Sequence, residues 1–404
     1  MSLRFARLRR FRFNLPQRIA ALMLLAFLGQ GLWLTSRQTL SDRDYEYARC
    51  GRETWENPSP VAGYFTSCGN IHDGILAYRL AGLPLTVNLL AERGLDHFRK
   101  PEDRVVQTGD SSHLSVWELR HQLTHILLLL RLPFLAAGCM LGAGLWWVTR
   151  RLYGNMGGYT ALALYCFSPA VLNACVSPSP DILAALGVYG GIYTCIGVAH
   201  AMQGPRRKWR PRIVLLTACF GLAAAAHIVA LPAAALLGLA LMLWVAEGRR
   251  SQVLPVVLLA SVGALVFVFA CYNLSPDAFS YLFRSGAGFV GLSFDPARRF
   301  FSNFANAGIA LGALFSLMLY LGVRRSRYFG NTAPLLCATV LFLLVMTGAP
   351  GTPWLWAVPF LLTLIAGVLA DAYESPRGRI AMVAAGTLVG LQILLAIGNL
   401  AGML

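Results

Sequence analysis

The sequence predicts an all-α polytopic membrane protein of about eleven transmembrane helices, and three observations predict it. The 404-residue chain is 57% hydrophobic and only 13% charged, where a soluble domain has about 45–50% apolar and about 25% charged residues. Apolar runs near the ~20 residues that cross a bilayer recur along most of the chain, divided by short links. The net charge of +16 sits almost wholly in links that fall on one side of such a bundle. The composition excludes a soluble globular enzyme, and it excludes disorder, which needs few apolar residues and many charges.

Residues 1–18 hold six Arg and no acid and read as a basic cytoplasmic N-terminus. Residues 19–36 read as the first transmembrane helix. No small-residue cleavage site follows it, so we read a retained span, not a signal peptide. Residues 37–120 form a polar extracytoplasmic loop with amphipathic interfacial helices. Residues 121–404 form a multi-span transmembrane domain, with spans near 122–148, 157–175, 181–202, 213–227, 230–246, 253–272, 304–323, 332–348, 355–372 and 380–402.

The stretch 213–246 decides the count. As one helix it would measure about 51 Å at 1.5 Å per residue, and it is flanked by basic clusters at both ends. One crossing would put one cluster outside; two short spans broken around His227–Pro232 keep both inside. The total becomes eleven. In this topology the inside segments hold 20 of the 34 basic residues and three acids, and the remainder is balanced at 14 basic against 15 acidic. The positive balance is therefore an orientation signal, which leaves no reason to invoke nucleic acid. All but Lys100 and Lys208 of the basic residues are Arg; this bias and the short loops suggest a bacterial inner membrane, with the N-terminus cytoplasmic.

Of nine cysteines, seven fall in expected spans, where Cys is a small apolar filler. Cys50 and Cys68 fall in the outer segment, where an oxidising compartment permits a disulfide. No His/Cys spacing suggests a metal site, and neither a metal nor a cofactor is expected.

The expected outer face gathers the polar chemistry. Ser41–Gly51 carries Asp42, Asp44 and Glu46 close to the membrane; a carboxylate there is a general base, a cation ligand, or part of a solvated charged loop. His72 opens a second stretch in which Leu76, Leu80, Leu83 and Leu85 suggest a helix lying on the membrane. Arg131 lies about two turns inside the second span. A charge at that depth needs a partner, either an anionic ligand or a structural carboxylate such as Asp181. Asp181 itself follows Pro180 at the start of a span and reads equally as a helix-capping acid. His227 lies in the broken hairpin. The outer loop 273–303 adds Arg284 and Arg298 and reads as a mobile, membrane-hugging segment. Trp354 and Trp356 in a Pro-rich turn fit an aromatic interface belt.

Several of these residues recur in a known order. Arg131–Leu132–Pro133, Arg150–Arg151–Leu152–Tyr153–Gly154, Ser168–Pro169 and Pro180–Asp181 resemble the pattern of the C-type (GT-C) integral-membrane glycosyltransferases. The resemblance is nearest to the family 39 type, which includes protein O-mannosyltransferases and the lipid A aminoarabinose transferase. It covers roughly residues 17–250. His227 stands near a position where the family often has Lys, and Asp42 and Asp44 replace its adjacent acidic pair. The resemblance implies a GT-C-like fold and transfer, with inversion, of a hexosyl or pentosyl group from a polyprenyl-phosphate monosaccharide to a lipid, glycan or protein acceptor at the outer face. It implies Asp44, with Asp42 second, as general base. It implies Arg131 as the group that stabilises the departing lipid phosphate, with His72, Asp181, His227, Arg284 and Arg298 in substrate binding. A polysaccharide polymerase or ligase, a lipid or solute transporter, and a catalytically silent relative are the alternatives.

Overall fold

The computed structural model describes residues 14–56, 71, 74–98, 123–204, 206–284, 293–322, 328–347, 354–375 and 378–402. Regular structure among them is entirely helical: α1 Leu15–Arg37, α2 Asp42–Glu56, α3 Ile75–Phe98, α4 Leu123–Cys166, α5 Pro169–Val176, α6 Pro180–Met202, α7 Arg206–Ala226, α8 Ala230–Val245, α9 Val253–Cys271, α10 Pro276–Arg284, α11 Asp295–Ser302, α12 Ala307–Gly322, α13 Tyr328–Met346, α14 Val358–Tyr373 and α15 Gly378–Leu400. Eight helices among these residues are long and apolar enough to cross a membrane. The chain is a multi-pass membrane protein.

One of the eight, Leu127–Cys166, has 40 residues, about 60 Å at the helical rise and twice the ~30 Å hydrocarbon core. It is two helices joined at Gly154, whose φ of 79° and ψ of −171° are non-helical. A positive φ costs Gly nothing and an L side chain a good deal, so the expected turn at Arg150–Gly154 is real but tighter than a loop. The apolar run expected as the span 157–175 comes in two pieces, because Ser168–Pro169 ends α4 and starts α5. Pro169 has no N–H to continue the ladder, and the Ser168 hydroxyl caps α5 by accepting from Val171 N. The last carbonyls of α4 are left inside the protein and take side-chain donors: Gln30 Nε2 reaches Cys166 O at 3.4 Å and Gln392 Nε2 reaches Leu164 O at 3.3 Å. The run 213–246 is broken where expected, with α7 ending at Ala226 and α8 starting at Ala230.

The bundle is organised around two enclosed helices. α14 packs between α4, α12, α13 and α15, and α6 packs against α4, α7 and α8. Gly187 lets α6 approach the α7 backbone, since a Cβ there would lie 2.4 Å from Ala223 N. The segment 41–51, expected as a charged loop or site, is the helix α2, laid tightly on α3. Gly51 and Gly82 make that contact: a Cβ on Gly82 would sit 2.0 Å from the Gly51 carbonyl carbon. Gly82→Ala must push the two backbones apart. Overpacking of this kind costs about 1–3 kcal/mol, so thermal unfolding of the detergent-solubilised variant should shift down measurably, whereas Gly390→Ala, where a Cβ meets open space, should not shift it.

One end of the bundle collects the C-terminus of α1, α2 and the start of α3, the first turns of α6, the α7–α8 junction and the Trp354–Trp356 turn. The opposite end carries Arg150, Arg151, Arg210, Arg212, Arg249 and Arg250. The segment 273–303, expected as a mobile loop, contains the short helices α10 and α11. Its start is fixed. Buried Arg79 of α3 donates to Cys271 O at 2.6 Å, satisfying the end of α9, and also to Asn273 Oδ1. Asn273 and Leu274 both sit at positive φ, 54° and 58°, an uncommon conformation for non-glycine residues that a surrounding structure must hold.

Candidate active site

Two acid–base pairs are assembled at this end, and they differ in access. The first begins with a local signal. Ser41-Asp42-Arg43-Asp44 is a capping box, in which a Ser N-cap and an acid three residues on bond each other's backbone. Asp44 N donates to Ser41 Oγ at 3.2 Å, and Asp44 Oδ2 accepts from Ser41 N at 3.0 Å and Ser41 Oγ at 2.7 Å. The same carboxylate then receives Arg131 of α4 as a two-point fork, Nε to Oδ1 at 3.1 Å and Nη2 to Oδ2 at 2.6 Å. Arg131 Nη1 donates to Gln38 Oε1 at 2.8 Å. Side-chain exposure is 4% for Arg131 and 1% for Asp44. Arg131 thus has the structural carboxylate partner considered for it, but the partner is Asp44 and not Asp181.

The second pair is Asp181–His227. Pro180 and the Ser179 cap set the start of α6, and the break after Ala226 turns His227 towards it. His227 Nε2 lies 3.0 Å from Asp181 Oδ1. The imidazole is 8% exposed, but the Asp181 carboxylate is 32% exposed, so an acid at the head of a helix is open to a ligand while its orienting partner is enclosed. The ring of Trp356 lies 5.5 Å from that of His227 and is buried, and its Nε1 has no hydrogen-bond partner among the described residues. Trp356 is therefore part of the site's wall and not of an interface belt.

α2 connects the pairs. Arg43, Glu46 and Tyr47 share one face by the i, i+3, i+4 rule. Arg43 is exposed, stands 5.8 Å over the Tyr47 ring, and acts electrostatically on Tyr47 and Asp181. Tyr47 stacks on Tyr78 at 4.2 Å and 11°, with Phe134 edge-on behind it. Tyr78 Oη donates to Glu46 Oε1 at 2.8 Å. Burial pushes the Tyr47 phenol from 10.0 up to about 12, against the opposing pull of Arg43, and burial likewise raises Tyr78. A folded pKa above the unfolded one means stability that is present below about pH 10 and lost as pH rises through the folded value. Melting temperature should therefore fall between about pH 10 and pH 12, and Tyr47→Phe should flatten that fall.

The other expected site residues are distributed as follows. Asp42 is exposed in the first turn of α2. Arg298 is exposed on α11, which packs on α12 and α13. Arg284 ends α10 and its side chain is outside the described residues, as are His72 and Cys68. Cys50 is disulfide-bonded; Cys139, Cys166, Cys175, Cys195, Cys219, Cys271 and Cys337 are free. Among the described residues no group of three His, Cys, Asp or Glu is placed to hold a metal ion. Arg43, Tyr78 and Trp356 were not expected at the site. The capping box was the legible sign that Arg43 and Tyr47 share a helical face; nothing in sequence marked Tyr78 or the burial of Trp356.

No protein-family model matches the chain, and no curated protein matches its sequence. Solved structures do. ArnT from Cupriavidus metallidurans in the apo state superposes with a TM-score of 0.64 at 13% identity, over 96% of this chain and 75% of that one. The same protein bound to undecaprenyl phosphate superposes with a TM-score of 0.58 at 14% identity, over 96% of this chain and 70% of that one. At such identity the likeness is one of fold, and nearly the whole chain takes part in it: the protein has the polytopic, all-helical fold of ArnT.

Proposed function

We propose that the protein transfers a sugar from a polyprenyl-phosphate monosaccharide to an acceptor hydroxyl, with the Asp181–His227 pair as the reacting centre. The observation that carries this is the partly exposed Asp181 carboxylate held by an enclosed His227 at one end of a GT-C-like bundle. That a solved neighbour of this fold binds undecaprenyl phosphate supports the class of donor.

Asp181 is the general base in this reading. Its oxygen takes the acceptor proton as the acceptor oxygen bonds to the anomeric carbon and the bond from that carbon to the phosphate oxygen breaks. The electron pair leaves with the lipid phosphate. A single displacement of this kind inverts the anomeric centre. His227 orients Asp181 and, when protonated, sets a positive charge beside the leaving phosphate; exposed Arg43 adds a planar donor fork suited to phosphate. Negative charge developing on the phosphate near the first turn of α6 also meets the positive end of that helix. The sequence expectation of Asp44 as base and Arg131 as phosphate ligand gives way in this reading, because those two groups are buried and paired with each other. Their role in this reading is to fix α2, and with it Arg43, against the bundle.

The Arg-rich end of the bundle faces the cytoplasm and the site faces outwards, as the positive-inside rule requires. Residues 37–120 then form the outer segment, and a phosphate head group reaches the site from the outer leaflet of the bacterial inner membrane. Native mass spectrometry of the full chain with undecaprenyl phosphate tests the donor class. The reading expects one bound lipid, weakened about tenfold or more by Arg43→Ala with His227→Ala, given that charge-assisted bonds contribute about 1.5–3 kcal/mol. Undecaprenyl phosphate binding no tighter than neutral undecaprenol would count against it.

A further inference from the structure

We propose that Tyr78, Glu46 and Arg43 form a subsite for a hydroxylated sugar ring on the exposed edge of α2 and α3. The inference rests on the transfer reading above and extends it from the reacting atoms to the carbohydrate they serve.

The geometry is that of a small platform with two polar walls. Tyr78 is half-buried, with one face covered by Tyr47 at 4.2 Å. Phe134 sets Tyr47 from behind, so the platform is fixed. Glu46 is exposed, yet it is held beside the platform by the Tyr78 hydroxyl at 2.8 Å. Arg43 is exposed, 5.8 Å over the Tyr47 ring and one helical turn from Glu46. Surface contacts of this type add little stability, and holding long polar side chains costs rotamer entropy. Packing α2 on α3 needs only the glycine contact and the tyrosine stack. A preorganised carboxylate and guanidinium on either side of an aromatic edge are more than that packing requires.

The three side chains match the three kinds of group on a sugar ring. The C–H face of a pyranose or furanose carries partial positive charge and suits the negative face of an aromatic ring. Hydroxyl hydrogens need acceptors, and a carboxylate offers about four lone-pair sites, one of them used here by Tyr78. Hydroxyl oxygens need donors, and a guanidinium has five. A Cβ on Gly74, one helical turn before Tyr78, would lie 3.3 Å from the Pro180 ring and 3.5 Å from Ala226 O, so the platform begins beside the residues that carry Asp181 and His227, and a sugar bound there would present a hydroxyl or an anomeric carbon to the proposed base.

Two sugars meet at such a centre, and one measurement sorts them. The probe is a panel of methyl glycosides of gluco, manno, galacto and arabino configuration, observed by saturation-transfer NMR on the full chain in nanodiscs. Wild type is expected to transfer saturation to ring protons of at least one glycoside. Glu46→Ala and Tyr78→Ala should each reduce the signal about fivefold, the scale of one aromatic or hydrogen-bond contact. Tyr78→Phe, which keeps the stack and frees Glu46, should reduce it less. Loading the protein with the monoglycosyl polyprenyl phosphates of its own membranes identifies the source: displacement of the glycoside assigns the platform to the donor sugar, and retention assigns it to a carbohydrate acceptor. No transfer to any glycoside overturns the proposal, as does a signal unchanged in Glu46→Ala. Undecaprenyl phosphate binding, measured in the same samples, reports on the fold of Tyr78→Ala and tests the transfer reading separately.

Discussion

Asp181→Asn should abolish sugar transfer while leaving the protein folded. Asn keeps the size of the side chain and its place beside His227, but it cannot take a proton. Loss of a general base lowers turnover by roughly 10²–10⁴, and the fall should appear in kcat with little change in affinity for the lipid. Asp44→Asn should behave differently. Asp44 is 1% exposed and bonded on both oxygens, so its loss should appear first in stability, with activity reduced only as α2 loosens. Comparing the two variants by single-turnover loss of the glycosyl lipid, next to their melting curves, separates chemistry from architecture. A folded Asp181→Asn protein with wild-type turnover would sink the assignment of the base.

Arg131→Met is expected to be the most destabilising single change. It leaves the Asp44 carboxylate buried with no counter-charge, and breaking one side of a buried ion pair costs about 3–5 kcal/mol. Removing both charges together should return much of that loss, because Asp44→Leu with Arg131→Met leaves no lone buried ion; isosteric apolar replacement of buried pairs is often near neutral. The double variant also distinguishes the roles weighed for Arg131. If it serves only to hold α2, the refolded double variant still binds undecaprenyl phosphate. If it is a phosphate ligand, the double variant folds and binds none.

The architecture was more legible in sequence than the site, for physical reasons that differ residue by residue. The break at His227 followed from length and charge alone: a mostly apolar run of 34 residues between two basic clusters admits few arrangements in a bilayer. The division of 157–175 at Ser168–Pro169 was marked by a hydroxyl cap before a proline, a signal the hydropathy of the run obscures. Side-chain partners were harder. Arg131 and Asp44 lie 87 positions apart, and nothing local to Arg131 selects Asp44 over Asp181 as the carboxylate it meets; the packing of α2 against α4 does that. Asp181 and His227 were each singled out, but the distinction between a capping acid and a reactive one rests on exposure, which only the folded chain defines. Trp356 shows the same limit from the other direction, since a Trp in a Pro-rich turn at a membrane boundary reads the same whether it faces lipid or His227.

The most direct measurement is lipid mass spectrometry on the reconstituted protein with an extract of its own membranes, following monoglycosyl polyprenyl phosphates over time in wild type and Asp181→Asn. The account predicts loss of one glycosyl lipid with matching release of polyprenyl phosphate in wild type, and neither change in the variant. If no glycosyl lipid is consumed while donor and acceptor pools are both demonstrably present, the protein is not a transferase of this class, and the bundle's polar end serves some other lipid chemistry.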